Sequence, residues 1–266
     1  MTRSVRQSRT ADLVSLGPFF AAEGHSAFPL APGAGLPDPA AGGEAWRSMG
    51  ELTGGGPALA ERVAGVRRHL AAMGGGPPEA VETRVAASVA HLGLVARVLS
   101  PMLALAVLRG EVASGLRLAD LHWRPVLGGP FPLSLPDPPP GDDLSGAPVG
   151  ALAAALARDL LDGPVRELAD AFAPFRVSPH ILRGNAASAL NGAAGMLAAA
   201  RPTDAGRVRS LAAALLDRPP LRGSSTRERT AEAGTYRFRR RSCCLIYRAA
   251  PGRTGALCGD CVLAPV

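Results

Sequence analysis

Proline and glycine separate apolar runs of helical period along most of this chain, and that punctuation restricts it to a packing of short helices. After Gly56-Pro57, the residues Leu59, Val63, Val66, Leu70 and Met73 recur every three or four positions until Gly74-Gly75-Gly76 closes the run, which predicts an amphipathic helix. Pro77-Pro78 opens a second helix, with Glu79 and Glu82 near its positive end. Val85, Val89, Leu92, Val95 and Leu99 share one face of it until Pro101 kinks or interrupts it. The continuation Met102–Leu108 is apolar all round and is expected to be buried. Further helices are expected at Val149–Asp162, Val165–Ala173, Pro179–Ala200 and Ala205–Asp217.

One region breaks the pattern. From Leu116 to Leu135 apolar and polar residues roughly alternate about Gly128-Gly129, as in a small hairpin with proline at its edges. Asp137–Gly146, with three consecutive prolines, reads as a surface loop, and the polar, arginine-rich stretch Arg218–Gly234 reads as a linker. The expected fold is mainly α with a small β-hairpin element, an α+β chain. It divides into a helical body at 1–217, a linker at 218–234 and a short C-terminal segment at 235–266.

With 266 residues, 47% hydrophobic and 19% charged, the chain has material for one large core and is not disordered. Its 32 Gly and 25 Pro follow no repeat, which excludes a collagen-like structure. All 29 basic residues are Arg, so the net charge of +7 reflects coding bias in part. Stacking aromatics near the basic C-terminus are limited to Tyr236, Phe238 and Tyr247, and no nucleic-acid partner is expected. Val98–Leu108 contains Pro101 and is about half the length a bilayer needs, so no transmembrane segment is expected. Arg3, Arg6 and Arg9 precede the apolar Leu13–Phe20, but Gly17-Pro18 interrupts that stretch and no small-residue cleavage site follows. A cytoplasmic location is expected, at most peripheral to the inner face of the membrane.

All four cysteines, Cys243, Cys244, Cys258 and Cys261, fall in the last 24 residues. The pattern is a vicinal pair, thirteen residues and a C-x2-C pair, four thiolates from two close pairs as a metal centre needs. A tail of about 30 residues cannot build a sufficient core alone, so a metal staple would explain its shape. Three explanations compete. Two disulfides suit neither a reducing cytoplasm nor the strained geometry of a vicinal bond. Tetrahedral zinc accepts four thiolates, but adjacent cysteines make a poor chelate. A 2Fe-2S cluster also takes four, two at each iron. On spacing alone, zinc and iron-sulfur remain open.

The run Arg240-Arg241-Ser242-Cys243-Cys244-Leu245-Ile246-Tyr247-Arg248, followed by Leu257-Cys258-Gly259-Asp260-Cys261-Val262-Leu263, resembles the C-terminal signature of the FhuF-like ferric-siderophore reductases. Leu16-Gly17-Pro18-Phe19-Phe20, residues Val85–Gly93, Trp123–Pro130 and Gly184–Leu190 are also similar to that family. The resemblance implies that Cys243, Cys244, Cys258 and Cys261 bind a 2Fe-2S cluster. It also implies a cytoplasmic one-electron reductase, an oxidoreductase that releases iron from ferric siderophores. With no nicotinamide or flavin fingerprint in the chain, the donor would be external, a ferredoxin or a flavoprotein. The alternative is a non-catalytic interaction module stabilised by zinc or iron-sulfur. The family spaces its cysteine pairs by about ten residues, and lengthening that loop to the present one costs only about 0.2 kcal/mol of closure entropy. An aromatic residue is the family's expectation where Arg183 stands.

Other residues have both functional and structural readings. Arg237, Arg239, Arg240, Arg241, Arg248 and Arg253 surround the cysteines and either offset cluster charge or form a solvated face. The five histidines form no ligand grouping. Trp46 and Trp123 line a groove or fill the core, and Asn185 and Asn191 contact a ligand or join helices. No catalytic residue is expected beyond the cluster, and no substrate contact is assigned.

Overall fold

The computed structural model of the chain describes residues 2–25, 45–137, 144–229 and 236–264. In chain order the elements are α1 (Thr2–Ser15), β1 (Glu23–His25), β2 (Arg47–Ser48), α2 (Ala58–Met73) and α3 (Thr83–Arg109). Then come β3 (His122–Trp123), β4 (Leu133–Pro136), α4 (Val149–Leu156), α5 (Arg166–Ala171), α6 (Pro179–Ala200) and α7 (Ala205–Leu216). The last regular elements are β5 (Ser225–Arg229) and β6 (Tyr236–Arg240).

The core is built around α3, which packs against α2 on one side and α6 on another, while α7 joins α6 to α4. Two expectations about α3 need correction. It begins at Thr83 rather than at Pro77-Pro78, because Pro78–Ala80 form a separate tight turn. It also runs unbroken through Pro101. Both sides of the proline are fixed by burial, with Val98, Leu99, Met102 and Leu103 in the core, and this packing outweighs the lost backbone bond. Ser100 Oγ donates to the Ala96 carbonyl at 2.7 Å beside it. In length and composition α3 could cross a membrane, with a mean hydropathy of 1.8 over 18 residues, yet 78% of that window is buried inside the protein. It ends at Gly110, whose φ of +64° turns the chain and whose missing Cβ leaves room for the backbone of Ser145.

β3 and β4 pair antiparallel, with His122 opposite Ser134 and Trp123 opposite Leu133, giving the expected hairpin between Leu116 and Leu135. The hairpin is part of a larger unit. β1 adds parallel to β4 and β2 antiparallel to β3, making a four-stranded sheet in the order β1-β4-β3-β2. Arg97 of α3 ties that sheet to the N-terminal segment by donating to the carbonyls of Phe131 (2.8 Å), Phe19 (3.0 Å) and Ala21. Trp123 stacks edge-on against Phe131 and donates to Glu51 at 2.9 Å, while Trp46 lies under Arg124. Both indoles are therefore packed structural residues.

The expected helices at 149–162 and 165–173 form one path. α4 widens at Ala157–Val165 into a π-helical turn around Gly163-Pro164 and continues as α5. Of the loop at 137–146, residues 138–143 lie outside the described residues. The stretch Arg218–Gly234, expected as a linker, contains β5, which pairs antiparallel with β6 from Ser225 opposite Arg240 to Arg229 opposite Tyr236. Its residues 230–234 lie outside the described residues.

Candidate metal centre

β6 delivers the chain to the cysteines, and its last residue brings their two pairs together. The Arg240 N–H donates to the Asp260 carbonyl at 3.0 Å, so the turn carrying Cys258 and Cys261 docks beside the strand that leads into Cys243-Cys244. The Cys261 N–H closes that turn on the Cys258 carbonyl at 3.1 Å. The Cys244 and Cys258 sulfurs then lie 3.5 Å apart. All four cysteines are free thiols, so neither disulfide arrangement is present; Cys244 and Cys261 are buried, Cys243 and Cys258 half-buried.

Each pair has the same backbone device. The N–H of Leu245 points at Cys243 Sγ, and that of Leu263 at Cys261 Sγ, both at 3.3 Å. Leu245 adopts φ +70°, a left-handed conformation that is uncommon for a leucine and reverses the chain directly after the vicinal pair. The hydrogen bond shared with Cys258 pulls the Cys244 thiol down to about 6, outweighing its burial, with the Ile246 N–H and the Arg240 charge assisting. The same shared bond, together with burial, pushes Cys258 strongly up. Burial raises Cys243. One proton shared by two sulfurs leaves one of them a thiolate, the form that ligates metal.

The helical body supplies the floor under these residues. Ser88 of α3 donates from Oγ to the Cys244 carbonyl at 2.8 Å. Ser188 of α6 donates to Asp260 Oδ2 at 2.5 Å. Between them Asn185 of α6 is fully buried and donates from Nδ2 to Ser88 O at 2.9 Å, while its Oδ1 accepts from Arg240 Nη2 at 2.5 Å. Gly184 makes this approach possible, since a Cβ there would collide with Ser242 Oγ and stand 3.1 Å from Arg240 Nη2. Asn185 therefore joins helices, as its structural reading expected, and in addition holds the tail. Asn191 lies half-buried further along α6, and Arg183 is exposed.

The six arginines separate into distinct roles. Arg248 and Arg253 both pair with Glu82, Arg239 holds the carbonyls of Val262 and Ala264, and Arg237 and Arg241 are exposed. Arg240 is 1% exposed, with Nε and Nη1 buried and without hydrogen-bond partners. A buried guanidinium facing no carboxylate is costly unless an anion stands near it. The adjacent sulfurs, whose thiolate forms its charge favours, can supply that anion.

The donor set is four sulfurs, which suits iron-sulfur or zinc. The thiols, the two N–H groups aimed at sulfur and the partnerless Nε and Nη1 of Arg240 together fit an anionic cluster. Comparison with curated proteins and with solved structures returns no match. Residues 240–263 match the family model of the FhuF 2Fe-2S C-terminal domain. The segment that carries the four cysteines is thus similar to the FhuF 2Fe-2S C-terminal domain, and the cofactor this match indicates is a 2Fe-2S cluster.

Proposed function

We propose that this chain is a one-electron reductase that releases iron from ferric siderophores, with Cys243, Cys244, Cys258 and Cys261 as the ligands of its cluster. The observation that carries the reading is the match of residues 240–263 to this cluster-binding domain, together with the 3.5 Å approach of the Cys244 and Cys258 sulfurs beside a buried guanidinium whose Nε and Nη1 have no partner. When bound, the cluster supplies a one-electron couple from which the substrate Fe(III) takes an electron. Hard oxygen donors hold Fe(III) far better than Fe(II), so a single electron converts a tight chelate into a labile one, and the freed hydroxamate oxygen takes a proton.

The residues of the chain bind and orient. Ser88, Asn185 and Ser188 hold the cysteine segment on α3 and α6, and Arg240 offsets negative charge at the sulfurs. The exposed Arg237 and Arg241 offer a basic face to an anionic donor, a ferredoxin or a flavoprotein, in the cytoplasm. In this reading 1–217 form the body, and the segment from 235 onward is its redox appendage.

Two measurements test the proposal. Purified protein should contain two irons and two acid-labile sulfides per chain, and Cys258→Ser or Cys261→Ser should abolish the visible absorption. Dithionite-reduced, desalted protein should then be reoxidised by ferric hydroxamates, with Fe(II) captured by a ferrous chelator. Colourless protein holding one zinc would support the interaction-module alternative. A cluster that stays reduced against hydroxamate, catecholate and carboxylate complexes would overturn the reductase assignment.

A further inference from the structure

We propose that the cavity between the α2–α3 turn and the loop joining the two cysteine pairs binds the ferric chelate, and that it selects chelates carrying negative charge. The inference rests on the reductase reading for the presence of a ferric chelate, while the choice of charge comes from the cavity itself.

The cavity holds about 430 Å³, within the size range of small-molecule sites. One wall is apolar and comes from Ala71, Ala80 and Val81. The other is formed by residues 248–253, which lie between Cys244 and Cys258, so a ligand there touches the segment that links the two halves of the metal centre. That loop is preformed. The Gly255 N–H closes it on the Tyr247 carbonyl at 2.9 Å, and the Arg253 N–H returns to the Ala250 carbonyl at 2.9 Å. Gly252 and Arg253, both on the wall, have φ of +66° and +60°. For an arginine that conformation is unfavourable and is held in place by its surroundings, a feature that clusters at ligand sites.

The charge on this wall is unbalanced. Arg248 and Arg253 reach the same carboxylate oxygen of Glu82, at 2.6 and 3.2 Å, and Arg84 takes its other oxygen at 2.8 Å. Slight desolvation pushes the Glu82 carboxyl up, but the hydrogen bond from Arg84 and the charges of Arg248, Arg84 and Arg253 outweigh it and keep the group ionised. Arg248 and Arg253 of the lining thus share with Arg84 the single carboxylate of Glu82, which leaves a surplus of positive charge. A neutral ligand gains nothing from the surplus, whereas a ligand carboxylate forms charge-assisted hydrogen bonds with it. The occupant that fits is a ferric complex with net negative charge, such as one built on a carboxylate-bearing hydroxamate, with its organic arms on the apolar wall.

The test uses gallium(III) complexes, which match ferric complexes in charge and shape and do not accept an electron. Calorimetric titration of the full chain with an anionic citrate-based dihydroxamate complex and with a neutral trihydroxamate complex should show the anionic one binding at least tenfold tighter. Arg253→Ser and Arg248→Gln should each weaken the anionic complex about tenfold and leave the neutral one unchanged. Ala80→Trp, at an exposed position, should fill the cavity and weaken both. Equal affinity for the two complexes, or unchanged binding in all three variants, overturns the proposal. The parent reading fails separately. If cluster-loaded protein reduces ferric chelates at the same rate with and without Ala80→Trp, the pocket is wrong and the reductase stands. If it reduces no ferric chelate while the gallium complexes still discriminate, the pocket stands and the reductase fails.

Discussion

Replacing Asn185 by alanine should destabilise the metal-free fold by about 3–4 kcal/mol. Asn185 is fully buried and makes bonds in two directions. Its Oδ1 accepts from the Arg240 guanidinium at 2.5 Å, and its Nδ2 donates to Ser88 O at 2.9 Å. A hydrogen bond to a charged group contributes about 1.5–3 kcal/mol and a neutral one about 1 kcal/mol. The substitution also removes the only side-chain acceptor of a guanidinium whose Nε and Nη1 are already unpaired, so the cost falls toward the upper end. Against a total stability of about 5–15 kcal/mol for an ordinary domain, that is a large fraction. Urea unfolding of the reduced, iron-free protein, followed by far-UV circular dichroism, measures it. Asn191→Ala, half-buried six residues along the same helix, should cost less than about 1 kcal/mol. Adding Arg240→Met to Asn185→Ala should recover at least about 1 kcal/mol relative to additivity, because both partners of the charged bond are then gone. The reasoning is refuted if the two asparagine variants cost the same, or if the double variant is additive.

Arg240→Met should lower the midpoint potential of the cluster by on the order of 60 mV, a tenfold change in the one-electron equilibrium, because a buried positive charge favours the reduced, more negative state. Arg240→Lys should restore most of it, and the exposed Arg241→Gln should leave the potential where it is, all by spectroelectrochemical titration. Burial, assisted by the Arg240 charge, holds His91 down to about 3, so it stays neutral in the fold while the unfolded chain protonates it below about pH 6.5. The unfolded state then binds more protons, and stability is lost as pH falls from about 6.5 to 3, at up to about 1.4 kcal/mol per pH unit. His91→Leu should remove that part of the slope in denaturation series run between pH 7 and 5. Gly110→Ala should cost more than about 2 kcal/mol in thermal or urea unfolding, because a Cβ at φ +64° would also strike the Ser145 backbone.

What could be read from the sequence is what local chemistry decides. α2, α6 and α7 lie where Gly56-Pro57, Ser178-Pro179 and the turn at 202–204 start a periodic run, because caps and breakers act over a few residues. Pro101 misled for the opposite reason, since its local penalty is overcome by core contacts that no window on the sequence reveals. The four-stranded sheet is likewise non-local. β1 pairs with a strand more than a hundred residues away, and its members have two to four residues, too few for an alternation to stand out. β5 is polar and looks like a linker until its partner β6 is in place.

At the proposed metal centre the four cysteines stood out because vicinal cysteines are rare, and the residues that seat them did not. Ser88, Asn185 and Ser188 are polar residues scattered on Ala- and Leu-rich helices, and nothing in their spacing distinguishes them from ordinary helix-to-helix contacts. Gly184 looks like one more small residue among alanines, and its purpose emerges only when Ser242 is seen against it. The two readings of the arginines divide between residues, since of the six near the cysteines in sequence Arg237 and Arg241 are exposed, while Arg240 is buried at the sulfurs without a carboxylate.

The position of that arginine links the cofactor to the stability of the body. Phe238, Cys244 and Cys261 are the buried apolar residues of the described C-terminal segment, too few for a core, so the segment depends on the surface of α3 and α6. That surface is polar at the point of contact. Seating the tail therefore places a guanidinium in a low-dielectric environment with two of its nitrogens lacking protein partners, which is costly without a nearby anion. If the four thiols hold the cluster as proposed, its negative charge would offset this cost, and its binding energy would stabilise the joint between tail and body as well as the tail alone. Ser88, Asn185 and Ser188 would then feel the cofactor although none of them ligates it, and their backbone amides should gain hydrogen-exchange protection on cluster loading. Protection confined to residues 240–263 would show that the tail and the helices are energetically separate.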